Sequence, residues 1–259
     1  MTRGDLIKLS PLLTDLHMHT LYCDGCDTPR AMVESAIEKG LTTVGVLAHS
    51  FVPFDKECRI ELDDIPKMKA ELLSLRDEHR GKINVLFGIE ADYYGLHSPD
   101  DYDYIIGSVH YLRFGDEYLA IDLSRDLLTE IANTHFGGDF LALCEEYYRL
   151  VGDLKKKTGC DIIGHLDLIT KFNKNGALFD TRDERYIKAW QRATDKLLSQ
   201  GVVFEINTGA MSRGYTDFPY PEREIIEYIK ARGGRFILSS DAHKSENIAY
   251  RFELVGKLL

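Results

Sequence analysis

Six short segments of this chain set imidazoles or carboxylates at the ends of apolar runs, beginning with Asp15-Leu16-His17-Met18-His19-Thr20. In extended backbone, side chains at i and i+2 share a face, so His17 and His19 can offer two imidazoles to one metal ion. A solvated polar strand end would carry the same pattern, and the downstream residues decide between the two. Asp24 lies in the next turn, His49 ends TTVGVLA, Glu90 and Asp92 follow INVLFGI, and His110 follows YIIGSV. His165 follows DIIG, and Asp241 and His243 follow RFILSS. Six of the nine histidines fall in this set, while His79, His97 and His135 lie in a helix or in irregular segments.

His17, His19, Asp24, His49, Glu90, His110, His165, Asp241 and His243 are nitrogen and carboxylate donors with no thiolate among them. Such a set suits zinc, manganese or iron and is too large for one four-coordinate ion. Glu90, near the middle of the set, is the natural bridge between ions. Metals about 3.5 to 4 Å apart activate water and clamp the oxygens of a group undergoing in-line displacement. The chemistry implied is hydrolysis of a phosphoester.

These groups need a scaffold that brings the ends of distant segments together. Leu12–Thr20, Thr42–Ala48, Ile83–Ile89, Tyr104–Val109, Asp161–Gly164, Val202–Ile206 and Arg235–Ser239 read as strands. Helices are expected between them. One opens at Thr28-Pro29 and stops at Gly40, and others cover Asp63–Arg80, Phe140–Lys157, Arg182–Ser199, Pro221–Arg232 and Ser245–Lys257. The stretch 111–140 is irregular, with a helical piece near Arg125–Ala132, and reads as an insertion. Alternation of this kind implies a parallel α/β sheet with the polar groups at its C-terminal edge. Seven strands ending on one rim suggest a closed barrel, with an open doubly wound sheet as the alternative.

Composition narrows the function further. The 259 residues fit a single domain, and a net charge of -10 disfavours a nucleic-acid or anionic membrane surface. No run approaches the roughly 18 apolar residues of a spanning helix, and the chain reads as cytoplasmic. Five scattered cysteines suit a reducing compartment. Cys23 and Cys26 are spaced C-x-x-C without the second pair that a structural zinc site would need.

The segments DLHMHTLYCDG, LAHS, GIEADY, GSVHYL, GHLDL, EINTGAMSRG and SSDAH resemble the ordered motifs of the polymerase and histidinol phosphatase (PHP) superfamily, across nearly the whole chain. GSVH with a long insertion containing HFGGD, and GHLDLITKF, most resemble its histidinol-phosphate phosphatase branch. The resemblance implies a single-domain distorted (β/α)7 barrel over residues 1–259 with an insertion around 111–140. It also implies three divalent ions: one among His17, His19, Glu90 and Asp241, a second among Asp24, His49 and His243, and a third among Glu90, His110 and His165. The activity implied is hydrolysis of L-histidinol phosphate to L-histidinol and phosphate, in histidine biosynthesis. Members often read T-D-H at the second motif, where this chain has Leu47-Ala48-His49, so a carboxylate that would orient an imidazole is missing there and weaker binding of the second ion is expected.

For a phosphomonoester substrate, Arg213 stands just beyond a strand end, where a guanidinium can grip phosphate oxygens in a bidentate fork. Lys171 and Lys244 flank ligand motifs, and Asn207 ends a strand. Asp92, Tyr94 and Asp167 are candidates for an amine and an imidazole on the substrate. Two alternatives remain: a phosphoesterase for another small phosphomonoester or a nucleotide, and a metal-binding regulatory protein without turnover. Residue types leave the oligomeric state open.

Overall fold

The computed structural model describes Leu6 and residues 9–259. The elements, in chain order, are β1 (Thr14–Asp15), α1 (Pro29–Glu38), β2 (Thr43–Val46), α2 (Ile65–Glu78), β3 (Asn84–Asp92), β4 (Tyr104–Ser108), β5 (Tyr111–Phe114), β6 (Glu117–Ala120), α3 (Arg125–Phe136), α4 (Phe140–Val151), α5 (Leu154–Thr158), β7 (Ile162–Ile163), α6 (Glu184–Ser199), β8 (Val203–Asn207), α7 (Gly209–Ser212), α8 (Arg223–Ala231), β9 (Arg235–Ser239) and α9 (Phe252–Val255).

Seven strands form one parallel sheet in the order β1-β2-β3-β4-β7-β8-β9. Its two edges meet just beyond the strands, in a parallel bridge between Met18 and Ala242. There the His19 amide donates to the Ala242 carbonyl at 2.8 Å, and the Ala242 amide donates to that of His17 at 3.2 Å. Asp15 fastens the same seam: its carboxylate accepts the amides of Ser240 at 3.1 Å and Ala249 at 3.0 Å. The sheet is therefore a nearly closed (β/α)7 barrel, and the open doubly wound alternative does not apply.

Leu16, Leu47, Leu86, Tyr104, Ile106, Ile162, Val203 and Ile237 fill the barrel, while a larger cluster packs the helices onto its outside. Tyr104 occupies space that two glycines leave open. A Cβ on Gly88 would lie 2.2 Å from its ring and one on Gly45 2.3 Å from its hydroxyl. The helices follow the local signals. Thr28 caps α1 by accepting from the Ala31 amide, Pro29 takes the first turn, and Met32, Val33 and Ala36 are buried. Asp139 and Asp183 cap α4 and α6 in the same way.

Several expected elements differ. The first strand covers only Thr14–Asp15, because Pro11–Leu13 form a 3₁₀ turn and Asp15 engages the neighbouring edge. The helix expected over Phe140–Lys157 is two, α4 and α5, broken at Gly152 and Asp153. Gly152 faces α6, and a Cβ there would lie 3.2 Å from the Ala193 Cα. The helix expected over Ser245–Lys257 is reduced to short turns around α9. Asp15 accepts the Ala249 amide, and Ala249 and Arg251 hold positive φ, both incompatible with a continuous helix. The 111–140 stretch contains the antiparallel β5–β6 hairpin followed by α3. No helix among the described residues is long and apolar enough to cross a membrane.

Candidate metal centre

The parallel sheet sends every strand's C-terminal end to one rim, and all nine candidate ligands stand there. His17 and His19 follow β1, His49 follows β2, Glu90 lies in β3, His110 and His165 follow β4 and β7, and Asp241 and His243 follow β9. Glu90, fully buried, is at the middle. Its Oε2 lies 3.3 Å from the Nε2 of both His17 and His19 and 2.9 Å from His49 Nδ1. Its Oε1 lies 3.0 Å from His165 Nε2 and 3.4 Å from His110 Nε2. Asp241 Oδ1 is 3.7 Å from both first-motif histidines and from His243 Nδ1. Asp24 Oδ2 is 3.1 Å from His243 Nε2 and 3.6 Å from His49 Nε2.

Four groups have donor atoms that lie within 4.8 Å of one another: His19, Asp24, His49 and His243; His17, His19 and Asp241; His17, Glu90 and His165; and His49, Glu90 and His110. They overlap the three sets implied by the resemblance without matching them one for one, since His19 joins Asp24, His49 and His243. The chemistry of these atoms fits a cation. The buried Nε2 atoms of His17 and His19, Oδ1 of Asp24 and Oε2 of Glu90 have no hydrogen-bond partner among the described residues. Buried polar atoms left so are costly, and divalent ions shared among these groups would satisfy them.

The protons follow the charges. Burial works against the charged form of His49, but Glu90 and Asp24 outweigh it and push the imidazole up to about 10. Burial likewise opposes charge on His17 and His110, and the carboxylates around them raise both. His19, buried and beside His49 and His243, is instead lowered to about 3. Burial alone would raise Glu90 and Asp24, but the imidazoles around them hold both well below the carboxylate range.

A cleft of about 340 Å³ opens over these groups. Arg213 and Lys171 both line it. Arg213 donates to the Asp241 carbonyl and carboxylate, each at 3.1 Å. Lys171 donates to the Asp122 carbonyl at 2.7 Å and its carboxylate at 3.2 Å. Asp92 also lines it, but its oxygens already accept the amides of Tyr94 at 2.7 Å and His110 at 3.0 Å. Asn207 is fully buried, donating to Glu205 at 3.1 Å and accepting from the Gly209 amide at 2.9 Å. Lys244 is exposed, Tyr94 lines a separate depression with Phe54 and Tyr118, and Asp167 is buried with its carboxylate on the Glu222 amide. Cys23 Sγ contacts His19 Nδ1 at 3.4 Å, while Cys26 is exposed and all five cysteines are free.

Two acids in or beneath the site were not among the sequence candidates. Asp122 comes from the irregular insertion, where no periodicity points to it. Glu205 lies on β8, and its Oε1 accepts from His17 Nδ1 at 2.8 Å. A carboxylate inside VVFEIN was a signal that could have been read.

The family model for the PHP domain matches residues 15–209, three quarters of the chain. The chain belongs to the PHP domain family. Among the relatives of this PHP protein, the Deinococcus radiodurans protein named "Probable histidinol-phosphatase" is 31% identical over 255 residues, covering 93% of this chain and 90% of its own. The fold is similar to that of a candidate histidinol phosphatase from Listeria monocytogenes, at a TM-score of 0.80 and 20% identity, covering 93% of this chain and 98% of that one. It is also similar to the histidinol phosphate phosphatase of Lactococcus lactis, solved with zinc, L-histidinol and phosphate. That match has a TM-score of 0.69 and 19% identity, covering 96% of this chain and 94% of the other.

Proposed function

We propose that this PHP protein is a metal-dependent phosphomonoesterase that hydrolyses L-histidinol phosphate to L-histidinol and phosphate. The observation that carries the phosphoesterase reading is the convergence of six imidazoles and the carboxylates of Asp24, Glu90 and Asp241 on one rim, with buried donor atoms left for cations. The substrate comes from the relatives' names and from the cleft, which suits a small molecule better than a polymer. We place three divalent ions, zinc, manganese or iron, among the nine ligands. When bound, such ions supply an activated water and neutralise charge on the phosphoryl oxygens.

The chain's own residues do the rest. Arg213 is a two-pronged donor at the cleft wall, already aimed by Asp241, and binds phosphate oxygens as the P–O ester bond breaks. Asp122, on the same wall, gives the substrate's ammonium a carboxylate, and Lys171 keeps that carboxylate oriented. Tyr111 and Tyr215 line the cleft and offer faces to an imidazole. The products need one proton for the leaving alkoxide, which Lys171 can donate from the cleft wall.

Phosphate release from L-histidinol phosphate, compared with nucleoside monophosphates and simple alkyl phosphates, tests the assignment. The reading requires kcat/KM for histidinol phosphate to exceed the others by at least about tenfold, or roughly 1.4 kcal/mol of discrimination. Equal turnover of all the esters would keep the phosphoesterase and remove the substrate.

A further inference from the structure

A buried carboxylate outside the ligand set needs a reason. Glu205 has no solvent exposure, lies in the same interior as Glu90 and Asp241, and belongs to none of the four ligand groups. Its Oε1 accepts from His17 Nδ1 at 2.8 Å, while its Oε2 accepts from the His165 backbone amide at 3.2 Å and the Asn207 side-chain amide at 3.1 Å. Neutral donors such as those last two would be served by a neutral acceptor. Burying full charge there is costly unless a cationic partner offsets it. That partner is the His17 imidazole together with whatever cation its other nitrogen meets.

We infer that Glu205 is the positioning residue of the metal centre, holding the His17 proton on Nδ1 so that Nε2 faces the ions as a free lone pair, and fixing the His165 backbone beside it. His17 Nε2 is buried and has no hydrogen bond among the described residues, as a nitrogen reserved for a metal would be. A carboxylate behind a ligating imidazole fixes its tautomer and raises its basicity. Glu205 does this for His17 and, through the His165 amide, steadies a second ligand from another strand. The first motif is therefore supported from β8, one strand beyond the β9 edge that β1 meets, whereas His49 makes its contacts to Glu90 and Asp24 with both nitrogens and has Ala48 before it.

This inference rests on the metal-centre reading but not on the substrate. The test measures zinc binding to the full chain by competition with a chromophoric chelator, together with the histidine tautomers in long-range ¹H–¹⁵N spectra. Wild type should bind zinc, with His17 protonated on Nδ1. Glu205→Gln keeps an acceptor but loses the charge and should bind zinc about tenfold more weakly. Glu205→Met should bind about a hundredfold more weakly and lose the His17 Nδ1–H signal. If Glu205→Met does not fold, Glu205→Gln decides alone. A merely structural role would lower the melting temperature of the metal-free variants and leave zinc affinity and tautomer as in wild type. That result overturns the inference. Absence of zinc binding by wild type would instead remove the metal-centre reading beneath it.

Discussion

The Tyr104 hydroxyl donates to the backbone carbonyl of Leu16 across 2.6 Å, joining the filling of the barrel to the segment that carries His17 and His19. Tyr104 lies in space vacated by Gly45 and Gly88, so the site's first motif rests on a side chain fitted between two strands. Tyr104→Phe should cost about 0.5 to 1.5 kcal/mol, the worth of one buried hydrogen bond. Gly88→Ala should cost more, about 1 to 3 kcal/mol, because the new methyl must displace a ring it would otherwise meet at 2.2 Å. Urea unfolding of the two variants should rank them in that order, and a neutral Gly88→Ala would show that the ring is not confined as described.

Metal loading and pH should be linked. In the metal-free protein His49 titrates at about 10, above the ordinary value of 6.5. A raised folded-state value contributes stability that is complete below pH 6.5 and is lost as pH rises towards 10. His17 and His110, also raised, act in the same direction, and His19, lowered to about 3, stays neutral throughout this window. Zinc must displace those protons, so its affinity rises over the same range. Melting curves at about pH 6.5 and about pH 9 should show the metal-free protein weaker at the higher pH and the gain from zinc larger there. A gain independent of pH would contradict the proton assignments.

Arg213 should matter for phosphate more than for the rest of the substrate. Arg213→Lys keeps the charge but loses the fork, and Arg213→Ala loses both. We expect kcat/KM to fall roughly tenfold in the first and by about 10² to 10³ in the second, with inhibition by inorganic phosphate weakened in parallel. Unchanged phosphate inhibition in Arg213→Ala would move the phosphate elsewhere in the cleft.

Asp122 should discriminate by substrate charge. Asp122→Asn is expected to raise KM for L-histidinol phosphate by about tenfold, the loss of one charge-assisted hydrogen bond, and to leave KM for an alkyl phosphate without an ammonium group nearly unchanged. Equal losses on both esters would assign Asp122 to holding Lys171 instead.

Much of this architecture was legible in the residues. Short apolar runs, six of the seven ending in a histidine or acid, marked both the strands and the rim, because a parallel barrel places all its C-terminal strand ends together. The tertiary context hid the rest. Gly152 stands at the break after α4, where α6 passes too close for a side chain, and residues 245–257 avoid a continuous helix because Asp15 claims the Ala249 amide and Ala249 and Arg251 hold positive φ. Asn207 is buried, bonded to Glu205 and the Gly209 amide, whereas Asp92 lines the cleft while its oxygens also accept backbone amides. Asp122 reaches the cleft from an insertion whose sequence has no period, and only the folded hairpin and α3 bring it there.

The most direct test of the account is phosphate release from L-histidinol phosphate by the zinc-loaded protein beside Glu90→Gln, with metal content measured for both. Glu90 contacts five of the imidazoles, so its neutral replacement should lose at least one ion per chain and lower kcat/KM by about a thousandfold or more while the barrel stays folded. A Glu90→Gln protein that retains its metal and its wild-type turnover would contradict the assignment of this cluster as the catalytic metal centre.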